Sequence, residues 1–236
     1  MRCALIIAYN GTNFLGSQSQ KESKNTVLGA LDLALKKINI QTKIVASGRT
    51  DRGVHATGQV CHIDVPLYWS DITKLEHALQ KVLPASILIK KIKIVDDTFH
   101  ARYSAKKRVY RYIIKVGKSN PFEDDFITFI DEIDLFEVQK KIKLFYGTFD
   151  FKFFMKSGSD IKSTTRVIYR AFAYKHKDFI VLNFEANGFL RSQIRLMVGA
   201  LLSLNEDEIL DQLKCRVKHK IKPAKSNGLY LSKIKY

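Results

Sequence analysis

The chain has 236 residues, 46% of them hydrophobic, so it can bury a sizeable core and belongs to neither the disordered nor the fibrous class. Forty Lys and Arg against 23 Asp and Glu give a formal net charge of +17, which favours polyanionic partners, nucleic acid first. Short apolar stretches, no signal-peptide cleavage pattern and three widely spaced cysteines exclude a membrane span and a disulfide framework, so we expect a cytoplasmic protein.

The first half of the sequence predicts the element order β-α-β-β-α-β. A near-continuous apolar run predicts a buried strand over 2–9, ended by an Asn-Gly turn. Thr26 is a suitable N-cap for a helix with apolar residues at helical spacing, and Asp71 opens a second helix that stops before Pro84. The remaining strands of this half are predicted over 43–46, 59–65 and 87–95.

The second half repeats this order after a joint at 104–107. Asp134 is predicted to cap a helix that runs to Phe145. The other elements are strands over 108–116, 165–174, 179–186 and 228–236, a helix that follows Asn187-Gly188 and runs to about Leu204, and a short added helix over 206–214. We therefore predict an α+β protein of two fused ferredoxin-like, RRM-like units with antiparallel sheets and a cleft between them, covering 1–104 and 105–236.

A polar, glycine-punctuated loop over 47–55 lies between two predicted strands. Loops held on rigid strands often carry catalytic groups, and here Asp51 stands between Arg49 and Arg52. Neighbouring cations favour the ionised carboxylate, which suits a nucleophile or a proton acceptor. The alternative is an Asx-type turn in which Gly53 supplies a positive φ and the arginines are solvated.

A tyrosine in the strand over 108–116 is a second candidate. Tyr110 lies near the start of this strand, close to Arg108 and Arg111. It could stack on a nucleobase while the arginines hold phosphate. Alternatively, it is a half-buried sheet tyrosine that fills the interface between the halves.

An arginine stripe is the third candidate. Arg191, Arg195 and Gly199 fall at successive i+4 positions of the predicted helix, with Arg191 in its first turn. Like charges at this spacing destabilise a helix by about 0.2–0.5 kcal/mol, and a cation in the first turn opposes the macrodipole. An anion, either Asp51 or a phosphate, would relieve both effects; a solvated basic stripe is the alternative.

Other kinds of site have little support. His55, His62 and Asp64 lack standard metal-ligand spacing, so structural roles are favoured over a metal site. The sequence has no Walker-type phosphate loop, no dinucleotide-binding fingerprint and no Ser-His-Asp order. We therefore expect no metal and no cofactor.

Several stretches together resemble the tRNA pseudouridine synthase A family, in order and over nearly the whole chain. The longest is Gly48-Arg49-Thr50-Asp51-Arg52-Gly53-Val54-His55-Ala56, which is similar to the family pattern Gly-Arg-Thr-Asp-x-Gly-Val-His. The supporting stretches are Gly58-Gln59-Val60, Phe99-His100-Ala101-Arg102, Tyr110-Arg111-Tyr112, Asn187-Gly188-Phe189-Leu190, Ile194-Arg195 with Gly199, and Gly228-Leu229-Tyr230-Leu231.

The resemblance implies a homodimeric isomerase that converts uridine to pseudouridine in the anticodon stem-loop of tRNA, at the positions conventionally numbered 38, 39 and 40. By this resemblance Asp51 is the catalytic aspartate, Tyr110 stacks on the target uracil, and Arg195 pairs with the aspartate. Detaching, turning and rejoining uracil needs no redox chemistry or metal, but it needs a flipped-out base and a water-poor pocket. The residues expected to bind substrate RNA are Arg49, which would help to displace the base, and Arg52, His55, Arg102, Arg108, Arg111 and Arg191.

The chain departs from the family pattern at three positions. Ser17 stands where members often have Trp, which bears on RNA contacts of the polar loop over 12–25, called the first loop below. Arg52 stands where a small residue is common, and Gln193 replaces an apolar residue. Both substitutions are expected to add polarity beside the site.

Two other classes of protein are alternatives. A non-catalytic RNA-binding protein with two RRM-like units would have exposed aromatics in an RNP1-like pattern, which this sequence lacks. It would also have no need of a carboxylate, which repels phosphate. A basic membrane-surface protein would have a strongly basic amphipathic helix, and none is predicted here.

Overall fold

A computed structural model describes residues 1–20, 23, 25–156, 158 and 162–236. Its strands are β1 Arg2–Tyr9, β2 Val45–Ala46, β3 His55–Asp64, β4 Ile87–Ile94, β5 Lys107–Val116, β6 Thr128–Ile130, β7 Gly147–Asp150, β8 Thr165–His176, β9 Phe179–Ala186 and β10 Leu229–Lys235. Its helices are α1 Val27–Lys37, α2 Ile72–Val82, α3 Leu135–Ile142, α4 Gln193–Ser203 and α5 Glu206–Leu213. Within these described ranges, none of the helices has the length and apolar character needed to cross a bilayer.

The chain forms two compact units, 1–106 with 230–236, and 107–229. Both combine helices with a mostly antiparallel sheet, which confirms the α+β class. The last strand differs from the sequence expectation, which grouped it with the second half. In the structure β10 lies in the first unit and pairs in parallel with β3, with Tyr230 opposite His55. A seven-residue strand pattern does not specify which neighbour the strand joins.

The sheet of the first unit has the order β4-β1-β3-β10, with β2 also paired to β3. β1 is antiparallel to both β3 and β4. Helix α2 satisfies backbone groups of β4, because Gln80 bonds both Ile87 O and Ile89 N, and Glu76 accepts from Ile92 N. These side-chain bonds cover an edge that would otherwise be open to another strand.

The helix starts in this unit follow the predicted caps. The hydroxyl of Thr26 accepts from Gly29 N at 3.1 Å, and the carboxylate of Asp71 accepts from Thr73 N and Lys74 N. Each cap satisfies amide groups that have no partner within the helix. The predicted starts of α1 and α2 are therefore confirmed.

The sheet of the second unit has the order β5-β9-β8-β7, with β6 parallel to β5. Strands β6 and β7 were not predicted because they have three and four residues, too few to show a period. Helix α3 donates from Gln139 to Ala173 O on β8. Its Lys141 Nζ donates to Leu201 O and Leu204 O, which satisfies carbonyls at the end of α4.

Helix α4 begins at Gln193 rather than directly after Gly188. The preceding Ser192 has a left-handed φ of 59°, and the buried Gln193 side chain accepts from Leu190 N at 2.8 Å. Because this bond closes a turn before the helix, Arg191 lies outside it. The prediction that Arg191 and Arg195 share a helical stripe, with Arg191 in the first turn, is wrong. The Gln193 side chain is fully buried and holds the turn before the helix, so it does not add polarity to a surface.

His62 on β3 has a structural contact. It is buried, and its Nδ1 accepts from Ala101 N at 3.0 Å. Burial favours the uncharged imidazole and lowers the pKa of His62 below its ordinary 6.5, and the charge of Arg2 lowers it further. The unfolded chain therefore binds a proton at this residue at a higher pH than the folded chain does.

This difference predicts a pH dependence of stability. Because the unfolded state takes up more protons at His62, the free energy of unfolding should fall as the pH drops through about 6.5. Urea titrations measure the free energy of unfolding at about pH 7.5 and about pH 5.5. Between these two pH values it should fall less in His62→Gln than in wild type, because the amide of Gln does not titrate. The exposed His77→Gln is the control and should behave as wild type. An unchanged pH dependence in His62→Gln would contradict the assignment.

Candidate functional site

The loop over 47–54 of the first unit is fixed at both ends. Ser47 N donates to Val60 O, and Gln59 Nε2 donates to Gly48 O, each at 2.8 Å. Val54 N donates to Asp51 O at 3.1 Å, which closes a turn with Gly53 at φ 76°. The turn interpretation is therefore correct for the backbone. It does not exclude a catalytic role for the side chain within that turn.

Thr50 is held by the first loop and by β1. Its amide donates to Ser17 Oγ at 2.8 Å, its carbonyl accepts from Ser17 N at 3.1 Å, and its hydroxyl bonds Tyr9 Oη at 2.9 Å. Because Thr50 directly precedes Asp51, these bonds fix the backbone from which the Asp51 side chain projects. Ser17 is only 2% exposed. It therefore bears on the geometry of the loop, and not on RNA contact as its place in the sequence suggested.

Backbone contact between the first loop and the Asp51 loop adds to this restraint. A Cβ on Gly11 would overlap Val54 O, and Gly16 has φ 114° with its Cβ position 3.0 Å from Thr50 O. Only glycine allows so close an approach, and only glycine adopts such a φ without strain. Residues 11–17 and the loop over 47–54 therefore form one rigid element.

His55 locks the end of this element. Its Nδ1 accepts from Gly11 N at 3.0 Å, and its ring stacks on Tyr230 with centroids 4.8 Å apart. The side chain is 1% exposed. A residue so buried supports the loop and does not meet phosphate, so the expected RNA contact of His55 is not supported. On the same loop Asp51 is half-buried, whereas Arg49 and Arg52 are exposed.

The Ser17–Thr50 bond makes a prediction for stability. In Ser17→Ala the buried Thr50 N–H loses its acceptor, which should lower the free energy of unfolding by about 1–3 kcal/mol. Urea unfolding measures this loss. Ser19→Ala removes an exposed hydroxyl two residues further along the same loop and should change stability by under about 0.5 kcal/mol. Equal stabilities of the two variants would show that the bond contributes nothing.

In the second unit Tyr110 lies on β5 and is 8% exposed. Phe189 meets its ring edge-on, with centroids 5.2 Å apart and planes at 82°. Arg108, on the same strand face by alternation, donates from Nη1 to Asn187 O at 2.7 Å. Arg111 points to the opposite face, where it lines a groove with Tyr174 and other apolar residues. Arg108 therefore shares the strand face of Tyr110, and Arg111 does not.

Arg166 is a candidate that the sequence did not indicate. Its Nη1 donates to Ser163 O and Thr165 O, and its side chain contacts the position of Gly188. Burial lowers the pKa of Arg166, and the charge of Arg108 lowers it further. Two guanidinium groups that repel one another beside Gly188 would be stabilised by an anion. An isolated arginine at the start of a long strand gives no motif from which this could be predicted.

Arg195 on α4 is held by a segment that crosses the helix. Its Nε donates to Ala224 O at 2.7 Å, and Ala224 N donates to Arg195 O at 2.9 Å. One turn later a Cβ on Gly199 would overlap Lys222 O, so this glycine lets the segment lie directly on the helix. The Tyr112 hydroxyl donates to Lys225 O at 2.9 Å, and burial raises the pKa of Tyr112 to about 12.

The remaining candidates are more peripheral. Arg191 is exposed, and so is Arg102 in the first unit, whose guanidinium lies 5.6 Å from the centre of the Tyr103 ring. Cys61 is a buried free thiol whose pKa burial raises to about 12, so it is an unreactive core residue. Over the described residues, no group of three or more His, Cys, Asp or Glu side chains could hold a metal ion.

Comparison with known proteins gives a match over most of the chain. Residues 5–104 and 142–236 match the tRNA pseudouridine synthase family. The chain is 39% identical to tRNA pseudouridine synthase A of Campylobacter jejuni strain RM1221, with 100% of both chains covered. It is 38% identical to the protein of the same name from Wolinella succinogenes, over 98% of this chain and 93% of that one. The Limosilactobacillus reuteri protein of that name is 37% identical, over 100% and 96%.

Proposed function

Because this chain belongs to the tRNA pseudouridine synthase family, we propose that it is an isomerase that converts uridine to pseudouridine in tRNA, at positions 38, 39 and 40 of the anticodon stem-loop. The observation that carries the proposal is the family match across both units, with full-length relatives at 37–39% identity. The net charge of +17 fits a polyanionic substrate.

The reaction breaks the bond between N1 of uracil and C1′ of the ribose and forms a bond between C5 and C1′. A proton leaves C5 and one is gained at N1, so neither an oxidant nor a second substrate is needed. We propose that the Asp51 carboxylate is the catalytic group. What supports this role is its half-buried position directly after Thr50, which three hydrogen bonds hold in place.

The other proposed roles use the second unit. Tyr110 is the surface on which the flipped uracil stacks, and Phe189 supports its ring edge-on. Arg195 is the cation that acts with the Asp51 carboxylate. Arg108 and Arg166 bind a phosphate of the substrate, which would offset the repulsion between them.

We also propose that each unit is ferredoxin-like and that the protein is a homodimer. In the first unit the strands β1 to β4 have the spatial order β4-β1-β3-β2, with a helix in each crossover, as the order β-α-β-β-α-β requires. Light scattering should give twice the 27.1 kDa of one chain. A monomer would contradict the dimer and leave the fold assignment intact.

The test of the function is direct. The protein is incubated with an unmodified tRNA transcript labelled with tritium at C5 of uridine, and tritium release is followed. Pseudouridine is then mapped along the transcript. A transcript with cytidine at positions 38, 39 and 40 is the control and should release nothing. Binding of tRNA without any pseudouridine would favour the alternative, a non-catalytic RNA-binding protein.

A further inference from the structure

We propose that the segment over 214–225, called the basic strap below, is a binding surface for consecutive phosphates of the tRNA backbone. This inference rests on the proposed function, because it assigns to the same substrate a contact outside the residues named so far. The strap has one cation at almost every second position. These are Lys214, Arg216, Lys218, Lys220, Lys222 and Lys225.

The strap is pinned to the second unit along its length. His219 N donates to Gln212 Oε1 of α5 at 2.9 Å, and its ring nitrogen lies 3.9 Å from a carboxylate oxygen of Glu208. Ile221 and the backbone of Lys222 lie against the Gly199 position of α4. These contacts fix the strap although it has no regular secondary structure after 216.

The pinned residues and the lysines face different ways. His219 and Ile221 are half-buried, whereas Lys218, Lys220 and Lys222 are all exposed. Such alternation is typical of extended chain, in which every second residue is about 6.4–6.8 Å further along. This spacing is close to that of successive phosphates on one RNA strand. Three lysines therefore project from one side of a fixed backbone at a spacing that suits a phosphate chain.

These three charges have no counterion among the residues that the structure describes. In the ranges that the structure describes, no carboxylate lies within 4.0 Å of the ammonium groups of Lys218, Lys220 and Lys222. The acidic side chains near the strap pair with Arg216 and His219 instead, through Asp211 and Glu208. A row of unneutralised cations repels itself, and a polyanion relieves this repulsion while it releases its own counterions.

The strap also connects to the candidate catalytic residues. Its Ala224 carbonyl accepts the Arg195 Nε–H, and its Lys225 carbonyl accepts the Tyr112 hydroxyl. Phosphates bound along 218–222 would therefore be held on the same backbone that positions Arg195. This continuity separates the strap from lysines scattered over the surface, such as those on β4.

The experiment compares two triple variants of the full-length protein with equal loss of charge. The strap variant has Gln in place of Lys218, Lys220 and Lys222. The control variant has Gln in place of the exposed Lys81, Lys91 and Lys93 of the first unit. The slope of log affinity for tRNA against log salt should fall by about 2–3 in the strap variant, at about 0.7–0.9 per phosphate contact. In the strap variant KM for tRNA should rise about tenfold at physiological salt, while kcat stays within about twofold of wild type. A variant with Arg at the same three positions should have the KM of wild type.

The outcomes distinguish the two proposals. If wild type forms pseudouridine and the strap variant matches the control variant in slope and KM, the strap inference is overturned and the function stands. A fall in kcat at unchanged KM overturns it as well, because the strap would then only position Arg195. In a third outcome, wild type forms no pseudouridine, but tRNA affinity depends less steeply on salt in the strap variant than in the control variant. In that case the proposed function is wrong and the strap still binds phosphate. Thermal melting confirms that both variants are folded.

Discussion

Asp51→Asn should lower kcat for pseudouridine formation by at least about a thousandfold, as loss of a catalytic carboxylate does in other enzymes. Asn has nearly the same volume, and the bonds of Thr50 to Ser17 and Tyr9 do not involve the carboxylate. The loop should therefore keep its conformation. Affinity for tRNA should be unchanged or tighter, because a negative charge that repels phosphate has been removed.

Single-turnover tritium release with enzyme in excess over tRNA measures this effect free of product release. The matched control is Asp178→Asn, which removes an exposed carboxylate from the turn between β8 and β9 and should retain full activity. Near-wild-type kcat in Asp51→Asn would exclude the carboxylate from the chemistry. Equal loss of activity and of tRNA binding would instead point to a damaged fold.

Replacing Arg195 should give the second-largest effect. Arg195→Ala should lower kcat by about 100- to 1000-fold, the cost of removing one group that stabilises developing charge. Arg195→Lys keeps the charge but cannot donate from Nε to Ala224 O while also presenting a planar fork, so it should recover only part of the activity. KM should change less than kcat in both variants.

A double-mutant cycle tests the proposed link between Arg195 and Asp51. If the two act as a unit, Arg195→Ala should cost little more once Asp51→Asn is present. The control is Arg170→Ala, which removes an exposed guanidinium from β8 of the same unit. Additive losses from Asp51 and Arg195 would contradict a shared role and leave each residue to be explained separately.

The sequence predicts those parts of the fold that local chemistry controls. Thr26, Asp71 and Asp134 mark helix starts because each cap bonds amides within the next few residues. The start of α4 was missed because it depends on one buried glutamine, Gln193, that replaces an apolar residue. The three-residue β6 was missed because it is too short to show a period. The strand β10 was predicted, but its parallel pairing with β3 was not, because pairing between distant segments leaves no local pattern.

The candidate site also has features that the sequence shows locally and features that depend on distant residues. Asp51 and its two neighbouring arginines are visible in the sequence because they lie within four consecutive residues. The hydrogen bonds that hold Thr50 are not visible in the sequence, because their partners Tyr9 and Ser17 are more than 30 residues away along the chain. The strap is a third case. Its charges are obvious in the sequence, but only the contacts of α4 and α5 show which of its lysines face outward.

The contact of Gly11 with the carbonyl of Val54 has a consequence for how binding free energy is used. Ordering a flexible loop costs about 1–2 kcal/mol per residue in backbone entropy. Here the loop is already ordered by backbone packed on backbone, so tRNA binding does not have to order it. The free energy released by the phosphate contacts is then available to take the target uridine out of its stack, which costs a few kcal/mol.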